Sequence, residues 1–114
     1  MSTIAEQLEQ VEVSIQQAKE AITNKEALDK LTANPDFKKI VLEGYFEKEA
    51  SRLVLLKADP SMQDEKEQSQ IDKSINAIGY VRLYFHTIMQ LGLQMERTIA
   101  EDEKTREELL SEEL

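Results

Sequence analysis

The chain has 114 residues, a length that fits a single domain with a modest core. It contains no cysteine, which excludes disulfides and zinc sites built on cysteine ligands. Its net charge of −9 disfavours direct contact with nucleic acid or an anionic membrane, so we expect neither as a partner. Charged residues make up 32% of the chain, which has only three glycines and two prolines, and this balance is typical of long helices.

The first segment is predicted to be a helix from Ser2 to Lys30. Its apolar residues recur at alternating spacings of three and four, which is the a/d pattern of a coiled coil. This heptad stripe consists of Leu8, Val11, Ile15, Ala18 and Ile22. We predict that the stripe joins copies of the chain. The alternative is that the first helix lies on the rest of its own domain.

The second helix is predicted to run from Pro35 to about Lys57. Asn34 can cap its first turn, and Pro35 suits the first helical position because a missing N–H costs nothing there. With α-helical winding its apolar residues fall on two opposite sides, which predicts neighbours on both sides. One side holds Phe37, Ile40, Val41 and Leu55, and the other holds Leu42, Phe46, Leu53 and Leu56.

The third helix is predicted to run from about Met62 to at least Ala100. Asp59 ends the second helix because the residue before Pro60 avoids the helical region, and Ser61 or Asp64 can cap the third. Apolar residues cover well over half of its circumference, as expected for the central helix of a bundle. They are Ile71, Ile75, Ala77, Ile78, Tyr80, Val81, Tyr84, Phe85, Ile88, Met89, Leu91 and Met95.

The last fourteen residues, 101–114, contain seven acids and lose the wide apolar face. We expect an acidic tail there, either helical or frayed, after a single helical domain over residues 1–100. The predicted fold is therefore all-α. It is a three-helix bundle with a long central C-terminal helix and a coiled-coil-like N-terminal helix.

His86 is the only histidine, and Arg82 and Tyr84 precede it at alternate positions. On a helix Tyr84 points into the apolar arc, while His86 lies at its border beside a second cation rather than a carboxylate. We therefore predict a core-edge or interface histidine without a catalytic role. No motif for catalysis, cofactors or metal is present, so we expect no enzyme activity, no cofactor and no metal site.

Two segments carry the most distinctive pattern, "FKKIVLEGYFEKEASRLVLLKADPSMQ" and "IDKSINAIGYVRLYFHTIMQLG". They resemble a group of small, acidic, all-helical proteins encoded by tailed bacteriophages. The similarity covers roughly residues 28–100 and is most specific in "RLVLLKADPSMQ". The resemblance implies a phage accessory protein that acts in virion assembly or structure.

The expected partners are accordingly a second copy of the chain, as a homo-oligomer, and another phage or host protein. The expected location is the host cytoplasm, with the virion as a second location, because the N-terminus lacks a signal peptide pattern and no stretch is apolar enough to span a bilayer. The alternative function is an anti-host inhibitor that presents acidic side chains to a nucleic-acid-binding host protein.

Overall fold

The computed structural model describes residues 3–113, which form three long helices and contain no strand. This confirms the all-α prediction. The second of the three helices has three consecutive parts, and a short 3₁₀ turn separates it from the third. In chain order the elements are α1 (Ile4–Ala33), α2 (Pro35–Phe37), a π-helix (Lys38–Glu49), α3 (Ala50–Ala58), the 3₁₀ turn (Pro60–Met62) and α4 (Glu65–Glu113).

Side-chain caps set where the second and third helices begin. The Asn34 side-chain oxygen accepts hydrogen bonds from the backbone N–H groups of Asp36 and Phe37, at 2.9 and 3.1 Å. Asp64 accepts one from the backbone N–H of Glu67 at 2.7 Å. The backbone N–H groups of a first helical turn have no partner within the helix, and these bonds satisfy some of them. Asparagine and aspartate are typical capping residues, so the sequence predicts both caps.

The winding of the segment Lys38–Glu49 differs from the α-helix that its sequence predicts. Phe37 and Phe46 are nine residues apart, which is two and a half α-helical turns and would place them on opposite sides. A π-helix bonds residue i to residue i+5, so nine residues make roughly two turns and the rings share a side. Both rings contact Phe85, with centroids 6.0 and 5.8 Å away. The prediction that these two rings face opposite neighbours is therefore wrong.

The helices divide into two compact units. Unit 1 contains residues 3–28 and 87–113, where the N-terminal part of α1 and the C-terminal part of α4 run antiparallel. Its buried side chains are those of Ile15, Ala18 and Leu28. Residues 101–113 continue α4 without a break, which is the helical form of the predicted acidic tail.

Unit 2 contains residues 29–86 and pairs the second helix with the first part of α4. Leu53, Ile71 and Ile78 are buried in it, and Phe85 lies between the two rings of the second helix. Next to the 3₁₀ turn that joins the second helix to α4, the Lys57 ammonium group contacts the Gln68 side-chain oxygen at 3.0 Å and the Asp72 carboxylate. Unit 2 is thus an antiparallel helical pair.

Candidate interaction surface

The first part of α4 exposes a row of large apolar side chains on the side opposite its buried residues. Tyr80 is 72% exposed, Leu83 57% and Tyr84 59%, whereas Ile78 is 4% exposed. Residues 80, 83 and 84 share one side of an α-helix, and residues 71, 78 and 85 share the other. We call Tyr80, Leu83 and Tyr84 the tyrosine face. Only one side of the apolar arc is buried, and Tyr84, which the helical wheel places within that arc, lies on its exposed side.

A shallow groove accompanies this face because Gly79 has no side chain. Its lining consists of Ile75, Asn76, Gly79, Tyr80 and Leu83. A Cβ built on Gly79 would have no atom within 4 Å, so the space over this residue is open. The groove is therefore an open notch next to Tyr80.

The segment of α4 that carries the tyrosine face is poor in acidic residues. The sequence from Lys73 to Met95 has no acidic residue, in a chain with 23 of them. Arg82 lies on this segment, and its guanidinium carbon is 5.9 Å from the centroid of the Phe46 ring. That cation–π contact holds the Arg82 charge on the side of α4 that packs against the second helix, opposite the tyrosine face. The tyrosine face itself is thus mainly aromatic and aliphatic, which suits an apolar surface on a partner.

A second exposed apolar pair lies on α3. Val54 is 56% exposed and Leu55 73%, and with Ala50 and Ser51 they line another shallow groove. Their neighbour Arg52 is bound to Glu49 by two hydrogen bonds, which lower the pKa of the Glu49 carboxyl and raise that of the guanidinium. The pair offers less area than the tyrosine face and no aromatic ring.

The residues predicted for self-association lie inside unit 1. Ile15 is 2% exposed and Ala18 0%, and Leu8, Val11 and Ile22 are half-buried. The stripe therefore contacts the chain's own α4 in this conformation, and pairing of copies through it requires α1 to leave that position. Self-association through the stripe stays a prediction.

Polar contacts between α1 and α4 fix the pairing within unit 1. The Ser14 hydroxyl donates to the Asp102 carboxylate at 2.6 Å, and the Arg106 guanidinium donates to the Glu12 carboxylate at 2.7 Å. The hydrogen bond to Glu12 raises the pKa of Arg106 further above its usual range. Two residues of the predicted tail are thus bound to α1.

The His86 side chain is exposed on α4. Among the described residues, no group of three or more histidine, cysteine, aspartate or glutamate side chains is arranged to hold a metal ion. None of the helices over residues 3–113 is long and apolar enough to cross a membrane.

No protein-family model, curated protein or solved structure matches the chain. The sequence pattern alone did not predict the tyrosine face. Tyr80 and Tyr84 belong to the predicted apolar arc of the third helix, whereas Leu83 was not counted in it. The available signal was the width of the apolar arc on the third helix, which is greater than one neighbouring helix can cover.

Proposed function

We propose that the protein is a non-enzymatic, phage-encoded helical protein that acts through protein–protein contacts in virion assembly or structure. The observation that carries this proposal is the tyrosine face. Three large side chains, each more than half exposed, lie in a row on an ordered helix next to an open notch. Tyrosine is enriched at protein interfaces because it buries a large ring and keeps a hydroxyl for hydrogen bonding.

The proposal includes self-association and a coiled-coil character for α1. Its support is the spacing of the heptad stripe and the burial of Ile15 and Ala18 against an antiparallel neighbour. A bundle of three helices is part of the same proposal. The phage origin rests on the resemblance of residues 28–100.

The experiment is affinity capture from infected cells with the wild type and with Tyr80→Glu/Tyr84→Glu. The expected result is co-purification of a capsid, portal or tail protein with the wild type and its loss with the double variant. His86→Gln is the matched control, because His86 is exposed on the same helix outside the face. Equal capture by all three chains would contradict the role of the face, and capture of no virion protein would contradict the assembly function.

The acidic surface of unit 1 favours a second candidate function, the anti-host inhibitor. Unit 1 carries a net charge of −8 and unit 2 carries −1. A surface of that charge competes with nucleic acid for a basic binding cleft. In this case the captured protein is a host nucleic-acid-binding enzyme, and added DNA releases it.

A further inference from the structure

The second helix carries two sets of large apolar side chains, and only one of them packs on α4 in this structure. The packed set is Phe46, whose ring lies against that of Phe85, and Leu53, which is 5% exposed. The exposed set is Ile40, which is 66% exposed, and Leu55, which is 73% exposed. Each set thus contains one side chain from the π-helix and one from α3.

The winding of the π-helix decides which set shares the side of Phe37, whose ring also contacts Phe85. With α-helical winding throughout, Leu55 would lie about five turns after Phe37 and Ile40 less than one turn after it, so the exposed set would share its side. The packed set would then lie about half a turn away. The longer π turn gives the opposite result. The set that is left exposed is therefore the one that an α-helix would pack on α4.

We propose that the π-helix is a winding switch, which rewinds as an α-helix and thereby exchanges the two sets on α4. In the α-wound form Phe37 stays on Phe85, the exposed set packs on α4 and the packed set becomes exposed. The contact then loses a phenylalanine and a leucine and gains an isoleucine and a leucine, so the two forms bury similar apolar areas. Two packings of one sequence that are close in free energy make a two-state element.

Gly44 lies in the middle of the π-helix and favours the π-wound form. A Cβ built at this position would lie 3.0 Å from the Lys39 carbonyl oxygen, which is closer than an ordinary van der Waals contact. Lys39 is five residues earlier, so this carbonyl belongs to the turn that π winding closes. In an α-helix, by contrast, alanine is favoured over glycine. Gly44→Ala should therefore move the balance toward the α-wound form.

The test is the rate of thiol labelling at a single introduced cysteine, because the chain has no cysteine of its own. Leu53→Cys places the thiol in the packed set, where the π-wound form protects it. Adding Gly44→Ala should raise the labelling rate about fivefold or more, the factor that the helix propensity of alanine alone supplies. The matched control is Gly79→Ala, the same change on α4. Its added Cβ meets no atom within 4 Å, and it should leave the rate unchanged.

Leu55→Gln supplies the converse change. It removes an apolar side chain that only the α-wound form packs, and it costs the π-wound form little because Leu55 is largely exposed there. By itself it should lower the labelling rate of Leu53→Cys, and combined with Gly44→Ala it should restore the protection.

Ile71→Cys is the control probe, because Ile71 is buried on the side of α4 that the second helix covers in both forms. Its labelling rate should not change when Gly44→Ala is added. Circular dichroism confirms that each variant is folded.

Three results would overturn the switch. The first is a labelling rate of Leu53→Cys that Gly44→Ala leaves unchanged, and the second is an increase that Leu55→Gln does not reverse. The third is an equal increase at Leu53→Cys and Ile71→Cys, which would show a general opening of unit 2 instead of a rotation. The tyrosine face lies on the opposite side of α4, so affinity capture tests the proposed function independently of these outcomes.

Discussion

Gly92 is the residue on which the close approach of α1 to α4 depends. A Cβ at position 92 would clash with the Cβ of Lys25 and lie 2.6 Å from its Cδ. The Lys25 stem crosses the helix there, and its ammonium group lies 3.5 Å from the Glu96 carboxylate. Glycine thus allows the two helices to pack with a lysine stem between them.

We predict that Gly92→Ala lowers the free energy of unfolding by about 1–3 kcal/mol, the usual cost of overpacking. The matched control is Gly79→Ala on the same helix, where the added Cβ meets no atom within 4 Å. It should raise the free energy of unfolding by about 0.5–1 kcal/mol through helix propensity alone. Urea unfolding measures both, and equal stabilisation by both changes would contradict the close approach.

The Asp59 carboxylate makes the free energy of unfolding depend on pH in the acid range. Its carboxylate accepts hydrogen bonds from the backbone N–H and the hydroxyl of Ser61, which hold the pKa of Asp59 below its usual 3.8. Because the folded pKa lies below the unfolded one, the stabilisation is fully present above the unfolded pKa and is lost as pH falls through the folded pKa.

We therefore predict that the melting temperature of Asp59→Ala falls less steeply on acidification than that of the wild type, with the difference confined to the region below the unfolded pKa. Thermal unfolding followed by circular dichroism at a series of acid pH values measures it. The comparison variant is Asp64→Ala. Asp64 caps α4, so this substitution should lower the melting temperature already at neutral pH. Parallel pH curves for the wild type and Asp59→Ala would rule out the proposed role of this carboxylate.

At the scale of elements, the π-helix determines which side chains of the second helix meet α4. Its winding brings Phe37 and Phe46 to the same ring, that of Phe85. We predict that double-mutant cycles with alanine show coupling between Phe85 and each of the other two rings, about 0.5–1.5 kcal/mol per pair. An α-helical segment would leave one of the two pairs uncoupled.

The control cycle pairs Phe85 with Leu55, which is 73% exposed. Its coupling energy should be zero within error. Coupling in only one aromatic pair would show that the segment Lys38–Glu49 has α-helical winding in solution.

The sequence predicts where the helices begin and end better than it predicts which helices pack against one another. Capping side chains such as Asn34 and apolar periodicity define the three helices within a few residues, because both act locally. The π-helix was missed because a helical wheel assumes 100° per residue, and no local signal marks the longer turn. Apolar spacing also does not identify the partner, so it left open whether Ile15 and Ala18 face the same chain or a second copy.

At the scale of the whole molecule, the acidic end of α4 is a structural part of unit 1. Asp102 and Arg106 bind α1, and Leu109 is half-buried. We predict that deleting residues 101–114 lowers helicity by more than the deleted residues contribute, because α1 loses part of its neighbour and an isolated helix is marginal in water. Circular dichroism and limited proteolysis of α1 measure the effect.

The control for the deletion is the double change Glu112→Gln/Glu113→Gln, which removes two charges at the end of α4 and no contact with α1. It should leave helicity and protease resistance unchanged. A deletion variant with an intact, protected α1 would show that the acidic end is an independent appendage.

The contacts that hold α1 are distant in sequence, and this sets an order of events during synthesis. Ser14 and Asp102 are 88 residues apart, whereas Lys57 and Asp72 are 15 apart. Ribosomes add about 5–20 residues per second, so α1 waits on the order of 5–15 s for its partner helix to be translated. During that interval the heptad stripe of the nascent chain has no intramolecular cover, and neighbouring ribosomes on one message hold several such chains close together. Completion of the C-terminal helix ends this exposure.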